Sequence, residues 1–217
     1  MKSEISYLKK LRNPEVTTSM LIGVLSDYED TRGKISSLSR KGTLKPIKQG
    51  VYLVNEDLGF RPHSKEILAN LIYGPSYISL ETALSGYGFI PERVNVTTSI
   101  CLGRGKSFST PVGEFEYHHV KESIYAMGVQ MKEVFKGAFC QYAAPEKALL
   151  DFLYIKETKG DFKNSKDYFK YLLDSYRFDL QTIESEISLK KLQNMAERFP
   201  FQQIQWFSTE LTRKLLK

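Results

Sequence analysis

The sequence predicts an α+β protein in two parts: a helical and hairpin unit over residues 1–62, then a larger mixed α/β domain with a helical carboxy-terminus over residues 63–217. Three observations carry that expectation. Apolar spacing changes from helical to strand-like before residue 62, then changes back. Basic charge is concentrated at the front, where residues 1–62 hold 11 Lys or Arg against 7 Asp or Glu, while residues 63–217 hold 20 against 18. Within the first part, TRGKISSLSRKGTLKPIKQGVYLV (Thr31 to Val54) carries six basic side chains and no acidic one.

In chain order, Ile5, Leu8 and Leu11 recur at helical spacing until Asn13-Pro14 stops them, which gives a short first helix. A second opens at Thr17 or Thr18, either hydroxyl being a good N-cap, carries Met20, Leu21, Val24 and Leu25 as its apolar stripe, and ends around Tyr28. Asp30 or Thr31 caps the third, which turns Ile35 and Leu38 inward and stops at Gly42. With about 100° per residue, Gly33, Ser36, Ser37 and Arg40 project opposite those two, flanked by Lys34 and Lys41. Leu44, Ile47, Val51 and Leu53 then alternate with polar neighbours around a Gln49-Gly50 turn. This reads as a two-stranded hairpin whose first strand Pro46 marks as an edge.

Helix, helix, basic helix and basic hairpin is the order of a winged helix-turn-helix, in which the third helix enters the major groove and the hairpin rides on the backbone. Duplex DNA is a dense line of phosphates, so a surface that docks on it gains from Lys and Arg and loses from every carboxylate. A basic helix face alone is more often just solvated; the element order around it decides for DNA. The candidate DNA-binding residues are therefore Thr18, Arg32, Lys34, Ser36, Ser37, Arg40, Lys41, Lys45, Lys48 and Gln49. Ser36, Ser37 and Arg40 are placed for base edges, Lys45 and Lys48 for phosphates.

In the larger domain, residues 64–73 read as a helix, Tyr77-Ile78 as extended, and a helix from Leu80 ends at Gly86 and Gly88 before Pro91. Asn95 to Leu102 and Glu114 to Val120 read as strands joined by the loop GRGKSFSTPVG, with further strands near Val129 to Phe135 and Ala138 to Tyr142. Pro145 at a first helical position and Glu146, where the dipole favours an acid, open the helix PEKALLDFLYIKE. Beyond Gly160 the pattern is helical to the end, with Ile204, Phe207, Leu211 and Leu215 at inward spacing.

Sites of chemistry are sparse. GRGKS at 103–107 lacks the glycine a phosphate-binding loop needs, because Ile100 holds that position, so it reads as a basic hairpin turn. Glu114, Glu116 and His118 would share one strand face, which fits a solvated outer surface better than a metal site. Lys147 and Asp151, four apart on a helix, read as a surface ion pair. A nucleotidyltransferase would need a Gly-Ser turn leading to paired metal-holding acids, and Glu184 and Glu186 have no such turn before them. The chain therefore reads as a non-enzyme without a cofactor. Cys101 and Cys140 lack CxxC spacing, and no apolar run reaches the length of a signal peptide or membrane span, so a reduced, cytoplasmic protein without membrane contact is expected.

Taken together, KISSLSRKGTLKPIKQGVYLV, YGPSYISLETALSGYGFIPE at 73–92, TPVGEFEYHHV at 110–120 and AAPEKALLDFLY at 143–154 resemble the AbiEi family. These are the antitoxins and transcriptional regulators of type IV toxin-antitoxin systems. The resemblance covers residues from about 15 to 155, in order. It implies a winged helix-turn-helix that binds operator DNA of its own operon as a repressor. It also implies a carboxy-terminal domain that counters a nucleotidyltransferase-like toxin without a stable complex. Some relatives are regulators with no toxin beside them, and the motifs do not separate the two cases. The sequence leaves the operator and any self-association on DNA open.

Overall fold

A computed structural model describes residues 4–156, 160 and 162–216. The amino-terminal unit runs α1 (Glu4–Leu8), β1 (Glu15–Thr17), α2 (Thr18–Val24), α3 (Thr31–Arg40), β2 (Leu44–Lys48) and β3 (Val51–Val54). Local chemistry sets most of its boundaries. The Thr17 hydroxyl accepts from the Met20 N–H at the start of α2, and the Asp30 carboxylate accepts from the Gly33 N–H at 2.8 Å at the start of α3. Gly42, at φ +71°, turns the chain out of α3 while the Thr43 N–H returns to the Leu38 carbonyl. Tyr7, Leu8, Val16, Leu21, Leu25, Ile35, Leu38, Leu44 and Val54 fill the space between these elements.

Three details differ from the sequence reading. α1 stops at Leu8, short of Leu11, and α2 stops at Val24, short of Tyr28. Residues 15–17 form a strand that pairs antiparallel with β3, giving a three-stranded sheet in the order β1-β3-β2. Pro46 does lie on an edge strand, where its missing N–H removes no ladder bond from a further neighbour.

The larger part is mixed α and β with a helical carboxy-terminus. Its elements are α4 (Lys65–Ile72), β4 (Ser76–Ile78), α5 (Leu80–Gly86), β5 (Thr97–Cys101), β6 (Lys106–Thr110), β7 (Gly113–His119) and α6 (Glu122–Tyr125). There follow β8 (Val129–Phe135), β9 (Ala138–Ala143), α7 (Pro145–Lys156), α8 (Ser165–Tyr176), α9 (Leu180–Glu186), α10 (Leu189–Ala196) and α11 (Gln202–Leu215). The six strands lie in the order β6-β7-β5-β4-β9-β8, with β4-β9 and β5-β7 parallel and the other pairs antiparallel. The expected loop GRGKSFSTPVG therefore contains a strand, β6, and the GRGK segment is no hairpin turn. It carries the chain from β5 past β7 to the sheet edge, because β5 and β6 are not neighbours.

Lys147 and Asp151 depart furthest from expectation. Both are fully buried in α7 instead of lying on the surface. α7 buries every residue from Glu146 to Leu153 and packs against α5, α10, α11 and β9. A helix covered on all sides has no surface face on which to place an ion pair.

The two parts share the hairpin. Leu44 and Val54 belong to the amino-terminal core, whereas Ile47, Val51 and Leu53 belong to the core of the larger domain. The strand period of two makes this possible, since alternate side chains of β3 face opposite ways. Glu15, itself buried, adds polar anchoring. Its carboxylate takes both arms of the Arg61 guanidinium, at 2.9 and 2.8 Å, and accepts from the Ser64 N–H that begins α4. The boundary at residue 62 thus marks a change of charge and pattern, not a break in the packing.

Candidate nucleic-acid interface

The exposed stripe of α3 is Arg32, Ser36 and Arg40, spaced four residues apart, while Ile35 and Leu38 are buried. It spans about 12 Å along the helix axis. Gly33 and Ser37, expected to share the outward face, are half-buried. Asp30 is spent on capping the helix, and the nearest residues along the stripe are small, hydroxylated or basic.

Beside this stripe a groove of about 650 Å³ opens between α3 and the hairpin, bringing together Thr18, Arg32, Ser36, Lys48 and Gln49. The Ser39 hydroxyl also borders it and is buried without a partner among the described residues. Thr18 fixes the hairpin tip: its N–H donates to the Gly50 carbonyl at 2.9 Å and its hydroxyl to the same oxygen at 3.4 Å. Thr18 is thereby a positioning residue as well as a groove wall.

The other cations of the set have different surroundings. Lys34 donates to Glu4 and lies over the Tyr28 ring, 4.6 Å from its centroid. Lys41 reaches the same Glu4 oxygen at 3.4 Å while staying exposed. The hydrogen bond from Lys34 holds the Glu4 carboxyl below its usual range and raises the Lys34 ammonium. Lys34 therefore fastens α1 to α3. Lys45 is exposed but lines a second groove, with Glu56, Asp57, His63 and Val112, at the junction with the larger domain.

Lys48 lines the groove beside α3 but also has partners in the larger domain. Its Nζ donates to the Ile72 carbonyl at 2.6 Å and sits 4.5 Å from the centroid of Phe108, so it reaches across to the larger domain. Burial, and then the charge of Lys106, hold its ammonium below the usual lysine value. Arg104 and Lys106 lie in GRGKS, which the sequence predicts as a basic turn, so neither is among the expected contacts. The alternation in KSFST was the available signal.

Elsewhere, the Glu116 carboxylate lies 3.1 Å from His118 Nε2, while Glu114 accepts from the Ser109 hydroxyl at 2.6 Å. Among the described residues no three His, Cys, Asp or Glu side chains stand together as a metal set, and no helix is long and apolar enough to cross a membrane. No protein-family model matches the chain, and no curated protein matches its sequence.

Proposed function

We propose that the chain is a winged-helix DNA-binding transcriptional regulator that acts by binding, with α3 in the major groove and the hairpin tip against the backbone. The observation that carries this reading is the Arg32, Ser36, Arg40 stripe, which has no ion pair to a carboxylate among the described residues and opens onto a groove walled by the hairpin. A guanidinium offers the paired donors that match the O6 and N7 edge of guanine, and a serine hydroxyl adapts to either partner. The resemblance to the AbiEi proteins supports the rest of the proposal. The chain represses its own operon in the cytoplasm and serves as the antitoxin of a type IV system, opposing a nucleotidyltransferase-like toxin without a stable complex.

The test is binding of the purified full chain to the duplex upstream of its own gene, against a random duplex of equal length, across a salt series. Preference for the upstream duplex and a steep fall of affinity with salt are expected. Equal, weak binding to both duplexes at low salt would sink the regulator reading.

A further inference from the structure

We propose that Arg104 and Lys106, at the outer edge of the six-stranded sheet, form with Lys48 a second phosphate-binding corner that grips the same duplex beyond the stretch reached by α3. The inference rests on the DNA-binding reading above. β6 is an edge strand, and its alternation sorts charge by face. Lys106 and Phe108 stand opposite Tyr117 and Phe115, whereas Ser107 and Ser109 stand opposite Glu116 and Glu114. Directly opposed residues of an antiparallel pair share a face, so both carboxylates lie on the far side of the sheet from Lys106.

The near side alternates cations with rings. Lys106 Nζ lies 5.0 Å from the centroid of Tyr73, Tyr73 lies 5.9 Å from Phe108, and Phe108 carries Lys48 Nζ at 4.5 Å. Arg104 is exposed in the connection just before β6, where the Tyr73 hydroxyl donates to its carbonyl at 3.2 Å. Gly103 permits that approach, since a Cβ there would stand 2.3 Å from the phenolic oxygen.

Charge pairing separates this corner from the Lys34 and Lys41 side of the basic surface. Lys34 and Lys41 already share Glu4, but among the described residues neither Lys48, Lys106 nor Arg104 is ion-paired to a carboxylate. Cations held together without counter-charge repel one another, and an anion placed among them relieves that repulsion. The aromatic rings hold two of them in place before the anion arrives, which lowers the ordering penalty of binding. Lys48 also lines the groove beside α3, so it is the residue through which that groove adjoins the corner.

The experiment uses the full chain and two duplexes cut from the bound upstream region, of roughly one and a half and three helical turns. On the longer duplex, Arg104→Ala and Lys106→Ala should each reduce the slope of log affinity against log salt by about 0.9, and on the shorter one by nothing measurable. Lys106→Arg should keep the wild-type slope. Thermal unfolding checks that Lys106→Ala, which loses its ring contact, stays folded; Arg104 has no such contact and tests the corner independently. Wild-type slopes for both alanine variants on the longer duplex would overturn the proposal, and equal falls on both duplexes would overturn its placement beyond α3. If the wild-type chain binds neither duplex, the DNA-binding reading itself fails.

Discussion

Lys147 donates to Asp151 one turn along α7, and neither side chain meets solvent. The same carboxylate accepts from the Tyr77 hydroxyl at 3.0 Å and the Ser79 hydroxyl at 2.8 Å, which bonds α7 to β4 and to the start of α5. Lys147 Nζ also faces the rings of Phe199 and Tyr77, at 5.1 and 5.6 Å. Burial pushes the Asp151 carboxyl up, while the Lys147 charge and the three hydrogen bonds pull it back. A buried pair so enclosed does little for net stability when intact, because desolvation offsets the attraction, but is destabilising when halved.

Lys147→Met should therefore cost about 3–5 kcal/mol in urea unfolding, because it strands a carboxylate in the core. Lys147→Met with Asp151→Leu removes both charges but leaves the Tyr77 and Ser79 hydroxyls unpaired, at about 1–3 kcal/mol each. The double variant should consequently be less damaged than the sum of the singles. Additivity to within about 0.5 kcal/mol would show that the two side chains are not coupled.

The pair also shows what the sequence could and could not reveal. An i, i+4 spacing looks the same on a surface and in a core; the clue lay around it, in ALLDFLYI, where apolar residues surround the acid on every side of the helix. Elements with local punctuation were legible. Asp30 and Gly42 bracket α3, and Gln49-Gly50 turns the hairpin, as their chemistry requires. β1 was not, because three residues are too few to show alternation, and β6 was hidden between glycines that suggested a loop. The basic content of the proposed interface could be read directly. Which cations are already engaged could not, since Lys34 meets Glu4 from 30 residues away and Lys48 meets Ile72 from 24.

The shared hairpin makes a prediction about dissection. Residues 1–62 alone would expose Ile47, Val51 and Leu53, each worth about 1.5–3 kcal/mol when buried. The fragment should associate or lose fixed tertiary structure, as size-exclusion chromatography and near-ultraviolet dichroism would report. Threonine at the three positions keeps strand propensity and should restore a soluble monomer. A well-folded monomer from the unaltered fragment would contradict the shared core.

Glu4 should restrain DNA binding. Glu4→Gln removes a carboxylate from the basic face and releases Lys34 and Lys41, so affinity for random duplex should rise and the salt slope should steepen by up to about 0.9 per freed cation. The Glu4 carboxyl is lowered by Lys34, so its contribution to stability is complete above the ordinary carboxylate range and is lost only as pH falls through its depressed folded value. The raised Lys34 ammonium loses its share only at high pH, above the ordinary lysine range. Affinity should therefore show no step from this pair between about pH 6 and 8. A step in wild type that vanishes in Glu4→Gln would refute the assignment.

If the larger domain carries toxin neutralisation, the two activities should separate. Arg32→Ala with Arg40→Ala removes both exposed guanidinium groups of α3. This variant should lose operator binding yet still protect cells that express the toxin from an independent promoter. Loss of protection in a folded variant would tie the two roles to one surface.

Base reading and phosphate clamping should differ within the interface itself. Arg40 ends the exposed stripe of α3, whereas Lys45 projects from the edge strand β2 into the groove at the domain junction, beside Glu56 and Asp57. A contact to a base edge discriminates sequence, and a contact to phosphate does not. Arg40→Ala should cost on the order of 1–3 kcal/mol on the operator and much less on random duplex, relaxing preference at one base pair. Lys45→Ala should weaken both duplexes alike and lower the salt slope by up to about 0.9, less in proportion as the neighbouring carboxylates already screen it. Salt titrations of both variants on both duplexes decide the matter. If Arg40→Ala weakens operator and random duplex equally, Arg40 is a phosphate contact and α3 does not read bases through it.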